Sequence, residues 1–175
     1  MITITRDAIS LLFHDLRGVD LAPGEALFLA GEDVTDVFMV RSGRVHLQRH
    51  TTHGTHMILQ NARPGAVIAE ASAYSDRYHC DAVAPEETVV ATLPKARFLS
   101  ALAEHPALAA SWSAMLARSV QAARFRSEIR SLPKGADRLD AWLGEGNSLP
   151  KKGRWHGELG VTREALYREL SRRRT

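Results

Sequence analysis

Between residues 20 and 95 the chain never keeps an apolar run going for long before a turn-forming residue stops it. Ala26-Leu27-Phe28-Leu29 ends at Gly31-Glu32-Asp33, and Val37-Phe38-Met39-Val40 ends at Ser42-Gly43. Val45-His46-Leu47 leads through Thr52-His53-Gly54 to Met57-Ile58-Leu59. Pro64-Gly65 marks the next reversal, and Thr88 to Leu93 reads as a strand closed by Pro94. Runs this short cannot form the long helices of a parallel α/β sheet. Many short strands with Gly turns predict a sandwich or barrel. The chain has no exact internal repeat and no low-complexity segment.

After residue 95 the period changes. Pro94 stands where a short helix can start, and Pro106 where a second one can, since proline's fixed φ suits a first helical turn. From there Leu108, Trp112, Met115, Leu116, Val120, Ala123 and Ile129 recur at roughly helical spacing, up to the break at Pro133-Lys134-Gly135. A helix of that length outreaches a small β domain, at 1.5 Å per residue. Its apolar stripe can be covered by its own domain or by the same helix of a second copy. The reading adopted is the second, with Leu108, Trp112, Met115, Leu116 and Val120 as the dimer face. Ala136 to Leu143 reads as a further helix, followed by a Gly/Asn/Pro loop from Gly144 to Pro150 and two short helical segments.

The net charge of +3 is unevenly spread. Residues 151–175 hold eight Lys/Arg against three Glu, while the other 150 residues hold 15 Lys/Arg and 17 Asp/Glu. A near-neutral body with a basic tail points to an anionic partner at one end. Of the 175 residues 45% are hydrophobic and 25% charged, which is globular composition with material for a core. No stretch approaches the roughly 20 apolar residues of a membrane-spanning helix. The first residues lack a secretory leader's apolar core and cleavage site. One cysteine, Cys80, excludes an internal disulfide framework and fits a reducing cytoplasm.

Within the basic tail, Glu158-Leu159-Gly160-Val161-Thr162-Arg163-Glu164 runs into Ala165-Leu166-Tyr167-Arg168. Gly160 is a candidate helix C-cap and Thr162 a candidate N-cap. A helix, a glycine turn and a second helix with a basic face is the pattern of a helix-turn-helix. Arg163 and Glu164 fall in the first turn of the second helix, and Arg168 shares their face. Arginine can bond guanine through two hydrogens and glutamate can accept from a cytosine amino group. The same pattern also describes an amphipathic helix whose charges simply face water.

In that order these pieces resemble the Crp/Fnr family of transcription regulators over nearly the whole chain. In the sensor part the resemblance rests on Pro23-Gly24-Glu25-Ala26-Leu27-Phe28 with Gly31, Phe38-Met39-Val40 with Ser42-Gly43-Arg44-Val45, Pro64-Gly65, and Ala69-Glu70 with Asp81-Ala82-Val83-Ala84. In the tail it rests on Glu158 to Glu164 and on to Arg168. It implies an α+β chain in three parts. These are a cupin-like double-stranded β-helix, or β-roll, sensing a small signal (residues 1–105), a long dimerisation helix (106–131) and a helix-turn-helix (132–175). It implies Thr162, Arg163, Glu164, Tyr167 and Arg168 as DNA-binding residues, a cytoplasmic homodimer, and RNA polymerase as a further partner. Signal binding would shift the packing of the two long helices and so re-space two reading helices relative to successive major grooves. No enzyme chemistry is implied, and no nucleophile–base pair stands at a suggestive spacing.

The chain departs from the family at three places. Members that bind cyclic AMP open a phosphate cassette with Gly-Glu and close it with Arg-Ser or Arg-Thr. Here Ala69 replaces the glycine, Glu70 keeps the carboxylate, and Tyr78 and His79 stand where Arg and Ser belong. The ligand set is therefore Glu70, Arg77, Tyr78 and His79, and binding of a cyclic nucleotide rests on Arg77 reaching inward, because a buried anion needs a cation. The signal itself stays open. Second, His79 and Cys80 are ligand-type residues in a neighbourhood where a relative places haem, and His46, His50, His53 and His56 lie on or near one hairpin. Adjacent strand residues point to opposite faces, so the expectation is no metal, with Cys80 a small core residue. The His and Glu spacing of a cupin metalloenzyme is missing. Third, a small residue is expected four positions before Gly160, where His156 stands between Gly153 and Gly157 and beside Trp155. The chain ends at Arg172-Arg173-Arg174-Thr175 where the family continues into a wing, so the helix-turn-helix is expected to be incomplete. An alternative follows: a dimeric ligand-sensing module that no longer binds DNA, with its terminal arginines giving at most a salt-sensitive, sequence-blind affinity.

Overall fold

The computed structural model describes residues 4–50, 56–68, 70–146 and 159–173. They divide into two compact units, Met1–Leu116 and Ala117–Thr175.

The first unit opens with a helix, α1 (Ile4–Leu11), followed by eight strands: β1 (Gly18–Leu21), β2 (Ala26–Phe28), β3 (Asp36–Ser42), β4 (Val45–His50), β5 (His56–Ala62), β6 (Val67–Ile68), β7 (Asp81–Val83) and β8 (Thr88–Pro94). A single 3₁₀ turn, Glu70–Ser72, lies between β6 and β7. The strands form two four-stranded antiparallel sheets, β1-β8-β3-β6 and β2-β7-β4-β5. Two helices follow, α2 (Lys95–Glu104) and α3 (Pro106–Ser131). Each begins as the prolines predict, with Pro94 as the N-cap of α2 and Pro106 as the first residue of α3. This is an α+β roll.

The two sheets bury different sequence patterns. In β3 the run Val37-Phe38-Met39-Val40 is buried throughout. Phe38 and Val40 join the roll interior with Phe28, Val45, Leu47, Tyr78, Cys80, Ala82 and Val90. Val37 and Met39 point the other way, onto a second cluster with Ile9, Phe13, Leu93, Phe98, Leu102, Leu108 and Trp112. A strand covered on both faces reads as a continuous apolar run, not an alternation. β4 is covered on one face: Val45 and Leu47 are buried and His46 and Gln48 half-buried, so it alternates.

Tight reversals set the register. Gly43, between β3 and β4, sits at φ 73°, and a Cβ there would run into the carbonyl of Glu87 and into Thr88. Only glycine fits both the conformation and the space. Near the N-terminus, the Arg41 guanidinium donates to the carbonyls of Phe13 (2.8 Å), His14 (3.0 Å) and Leu16 (2.5 Å). These are the carbonyls that the turns after α1 leave without helical partners, so Arg41 fastens that segment to the roll.

Here the reading of α3 needs correcting. Leu108 and Trp112, expected to face a second copy, are buried in the second cluster, and Trp112 is only 2% exposed with its ring edge-on to Phe98 at 4.8 Å. Met115 and Leu116 pack against the same cluster. The physical reason is the outer face of sheet β1-β8-β3-β6, whose apolar residues must themselves be covered. Of the five residues assigned to the dimer face, only Val120 is open, at 50% exposure.

The second unit contains the rest of α3, then α4 (Gly135–Gly144) and α5 (Arg163–Arg172). Its core joins Ile129, Leu139, Leu159 and Leu166, with Phe125, Trp142, Val161 and Leu170 packed against them. The segment before Gly160, with His156, Gly153, Gly157 and Trp155, lies outside the described residues, apart from Leu159. So does His53.

Candidate functional site

The roll presents a polar cluster between β6 and β7. Glu70 stands at the start of the 3₁₀ turn, only 8% exposed, and its Oε2 has no hydrogen-bond partner. Burial holds its carboxyl above the ordinary glutamate range, partly offset by a backbone hydrogen bond. Two residues on, Ser72 Oγ lies 3.0 Å from His79 Nδ1, which ties the 3₁₀ turn to the approach of β7. The carbonyl of His79 accepts from Arg49 Nε at 2.7 Å. Arg49 itself is exposed, at the end of β4. The paired register of β4 and β7 ends one residue earlier, at Gln48 and Asp81. The Cys80 thiol is buried in the roll core. Burial pushes it up, with Arg49 pulling it down and Asp81 and Glu70 raising it further. An un-ionised, buried thiol is a poor nucleophile and a poor metal ligand, as expected of a small core residue.

Three residues of the expected ligand set stand elsewhere than predicted. Arg77 turns outward, donating to the Gly31 carbonyl at 2.6 Å and lying 3.6 Å from Asp33. Tyr78 is a core residue, 4% exposed, its ring stacked on Phe28 at 3.8 Å and its hydroxyl donating to the Asp36 carbonyl at 2.9 Å. His79 is exposed and bound to Ser72. Of the set, Glu70 alone is buried with a free polar atom. His79 is exposed and Cys80 buried, in the bend that precedes β7. His50 lies 3.8 Å from Asp81. No three metal-ligating side chains gather among the described residues.

In the second unit α5 starts as the sequence predicts. Thr162 caps it, its hydroxyl accepting from the Ala165 amide at 3.2 Å. Gly160, at φ 62°, makes the turn before it. Arg138 of α4 holds that turn through the carbonyls of Leu159 (3.2 Å) and Gly160 (2.6 Å) and reaches the carbonyl of Leu132 at 2.7 Å. Leu166 is buried, whereas Glu164, Tyr167 and Arg168 are exposed. Spacing puts Glu164, Tyr167 and Arg168 on one face of α5. Beside that face a cavity of about 380 Å³ is lined by Lys134, Val161, Ala165, Arg168 and Arg172, among others. Arg173, expected as a sequence-blind phosphate contact, is engaged within the fold. It donates to Asp140 at 2.6 Å and to Glu169 at 3.0 Å, and so pins the end of α5 to α4.

Residues 19–105 match the family model of the cyclic nucleotide-binding domain. Solved structures share the fold over most of the chain. FixK2 from Bradyrhizobium japonicum superposes with a TM-score of 0.74 at 21% identity, over 90% of this chain and 83% of its own. A provisionally assigned cAMP-binding regulatory protein from Silicibacter pomeroyi DSS-3 gives 0.63 at 26% identity, over 95% and 79%. The Thermus thermophilus catabolite activator protein gives 0.58 at 24%, over 95% and 82%. A comparison with curated proteins finds no match. None of the described helices is long and apolar enough to cross a membrane.

The roll thus keeps Glu70 buried and leaves Arg77 at the rim. Sequence reasoning missed the bond from Arg49 to the His79 carbonyl, because the two residues lie thirty positions apart in the chain.

Proposed function

We propose that the chain is a DNA-binding transcription regulator of the Crp/Fnr type, sensing a small molecule in its roll and reading DNA with α5. In this reading residues 1–105 are the sensor, 106–131 the relay and dimerisation helix, and 132–175 the DNA-binding part, acting as a homodimer without catalysis. The observation that carries it is α5. A capped helix seats Leu166 in the core and leaves Glu164, Tyr167 and Arg168 outward beside the cationic Arg172 and Lys134. A helix anchored on one side with base-reading side chain types in its first turns is what major-groove recognition needs. The solved structures named as a cAMP-binding regulatory protein and a catabolite activator protein, which share the fold, support the same reading. The dimer contact falls to the part of α3 from Val120 onward, since the earlier stripe is used within the roll unit.

The test is fluorescence anisotropy of a labelled palindromic duplex at two salt concentrations, with random duplex and Arg163→Ala as controls. Binding that survives competitor DNA and falls with Arg163→Ala or Arg168→Ala supports the regulator. Equal binding to random duplex, or none, replaces it with the alternative of a dimeric sensing module that does not read DNA.

A further inference from the structure

Arg138, on α4, is half-buried and bonded to carbonyls from two separate parts of the second unit. We infer that Arg138 is a positioning residue, which locks the turn before α5 to the end of α3 and so makes the angle of α5 follow that of α3. The inference rests on the reading of α5 as the DNA-reading helix and specifies what fixes its angle.

The bonds come first. α3 ends at Ser131, and Pro133 follows two residues on. The last carbonyls of a helix have no helical partner, and a cation beside them is favoured by the helix dipole. Arg138 Nε donates to the carbonyl of Leu132, the residue after α3, at 2.7 Å. Its Nη1 donates to the carbonyls of Leu159 (3.2 Å) and Gly160 (2.6 Å), in the turn that leads into α5. A guanidinium is planar and holds its donors in a fixed fork. Bonding both places at once fixes the distance and the angle between them, which a single swivelling ammonium cannot do. The packing around the fork is equally close. Gly160 sits at φ 62°, and a Cβ there would meet Arg138 Nη1 at 3.1 Å and the Arg130 side chain of α3 at 3.3 Å. Nearby, Ile129 of α3 shares a core with Leu159 and with Leu166 of α5. Apolar contact is non-directional, so that core holds the pieces together without setting their angle. The directional bonds of Arg138 set it. Arg173 has a different task, joining α5 to α4 through Glu169 and Asp140. In a dimer the placement of two reading helices sets the spacing of the half-sites they fit, so the fork of Arg138 is read out as a spacing preference.

The first arm of the test measures the angle itself. Nitroxide labels are placed on the full chain at Ser127→Cys of α3 and Ser171→Cys of α5, both exposed, in a Cys80→Ala background. Dilution with unlabelled chain makes distances within one chain dominate. Double electron–electron resonance reads their distribution, and circular dichroism establishes that each variant is folded. The expected result is a narrow distribution in the parent, a broadened one in Arg138→Gln and an intermediate one in Arg138→Lys, which keeps the charge and loses the fork. Should Arg138→Gln not fold, Arg138→Lys carries the comparison. An unchanged distribution in the folded variants overturns the inference. The second arm is anisotropy on duplexes whose two half-sites are moved together or apart by a base pair, and on a duplex with a single half-site. The parent should prefer one spacing by about tenfold, the worth of a charged hydrogen bond. Arg138→Gln should lose that preference and keep its affinity for the single half-site. A merely structural role would weaken every duplex alike and leave the spacing preference intact, and that outcome overturns the inference. A parent that reads no duplex specifically overturns the reading of α5 instead, and the distance distribution then decides on Arg138.

Discussion

Restoring the arginine that cyclic AMP-binding cassettes carry is the obvious engineering step, and the structure predicts that it unfolds the roll instead of arming it. The position is Tyr78. Its ring lies 3.8 Å from that of Phe28 at an interplanar angle of 12°, and its hydroxyl donates to Asp36. A graded series isolates each contribution. Tyr78→Phe keeps the stack and loses the hydrogen bond, a cost of about 1 kcal/mol. Tyr78→Ala removes a buried aromatic ring, a cost of about 3–5 kcal/mol. Tyr78→Arg removes the ring and brings a charge into the roll core, offset only in part by the Asp36 and Glu32 carboxylates near the hydroxyl, so it costs at least as much as Tyr78→Ala. Against a total stability of roughly 5–15 kcal/mol, that is enough to unfold the unit. Denaturant titrations followed by circular dichroism measure the series, with calorimetry against cyclic AMP on any folded variant. A Tyr78→Arg protein within about 0.5 kcal/mol of the parent that also gains cyclic AMP binding would refute the reasoning. It would mean that the ring occupies ligand space and not core.

Other consequences are independent of that one. Thr162→Ala removes the cap of α5 and should cost about 1 kcal/mol, seen as roughly fivefold faster hydrogen exchange of the 163–172 amides. Unchanged exchange would show the cap to be idle. Arg41→Ala removes the hydrogen bonds to three carbonyls after α1, of which Phe13's keeps the Leu16 amide, and should lower stability by about 1.5–3 kcal/mol, whereas an unchanged denaturation midpoint would mean that α1 holds without it. The Glu70 carboxyl has a raised folded-state pKa. Its favourable contribution is fully present below the unfolded glutamate value of about 4.3 and is lost as pH rises through the folded one. Glu70→Gln should therefore remove a decline in stability that the parent shows toward neutral pH. Parallel midpoint curves for the two proteins between about pH 4 and pH 8 would contradict this.

Where local chemistry decides, the residues are readable one at a time. Gly43 and Gly160 take positive φ, Pro94 and Pro106 open helices, and Thr162 caps α5. Each depends on a backbone conformation or hydrogen bond within a few residues. The short elements α1, β1, β6 and β7 went unread, because runs of two to eight residues carry too little periodicity and form only against partners distant in the chain.

The sequence by itself determined the longer strands and helices, the turns, and the outward polar face of α5, all of which follow from patterns a few residues long. Tertiary structure alone decided where the side chains of the candidate ligand site point. Tyr78 and Arg77 differ by one position, yet one is buried against Phe28 and the other is bonded to Gly31 at the rim. It also decided that Trp112 covers the roll, because only the assembled sheet shows which of its faces still needs apolar cover. And it brought Arg49 to His79, thirty residues on, since β4 and β7 become neighbours only when the two sheets close.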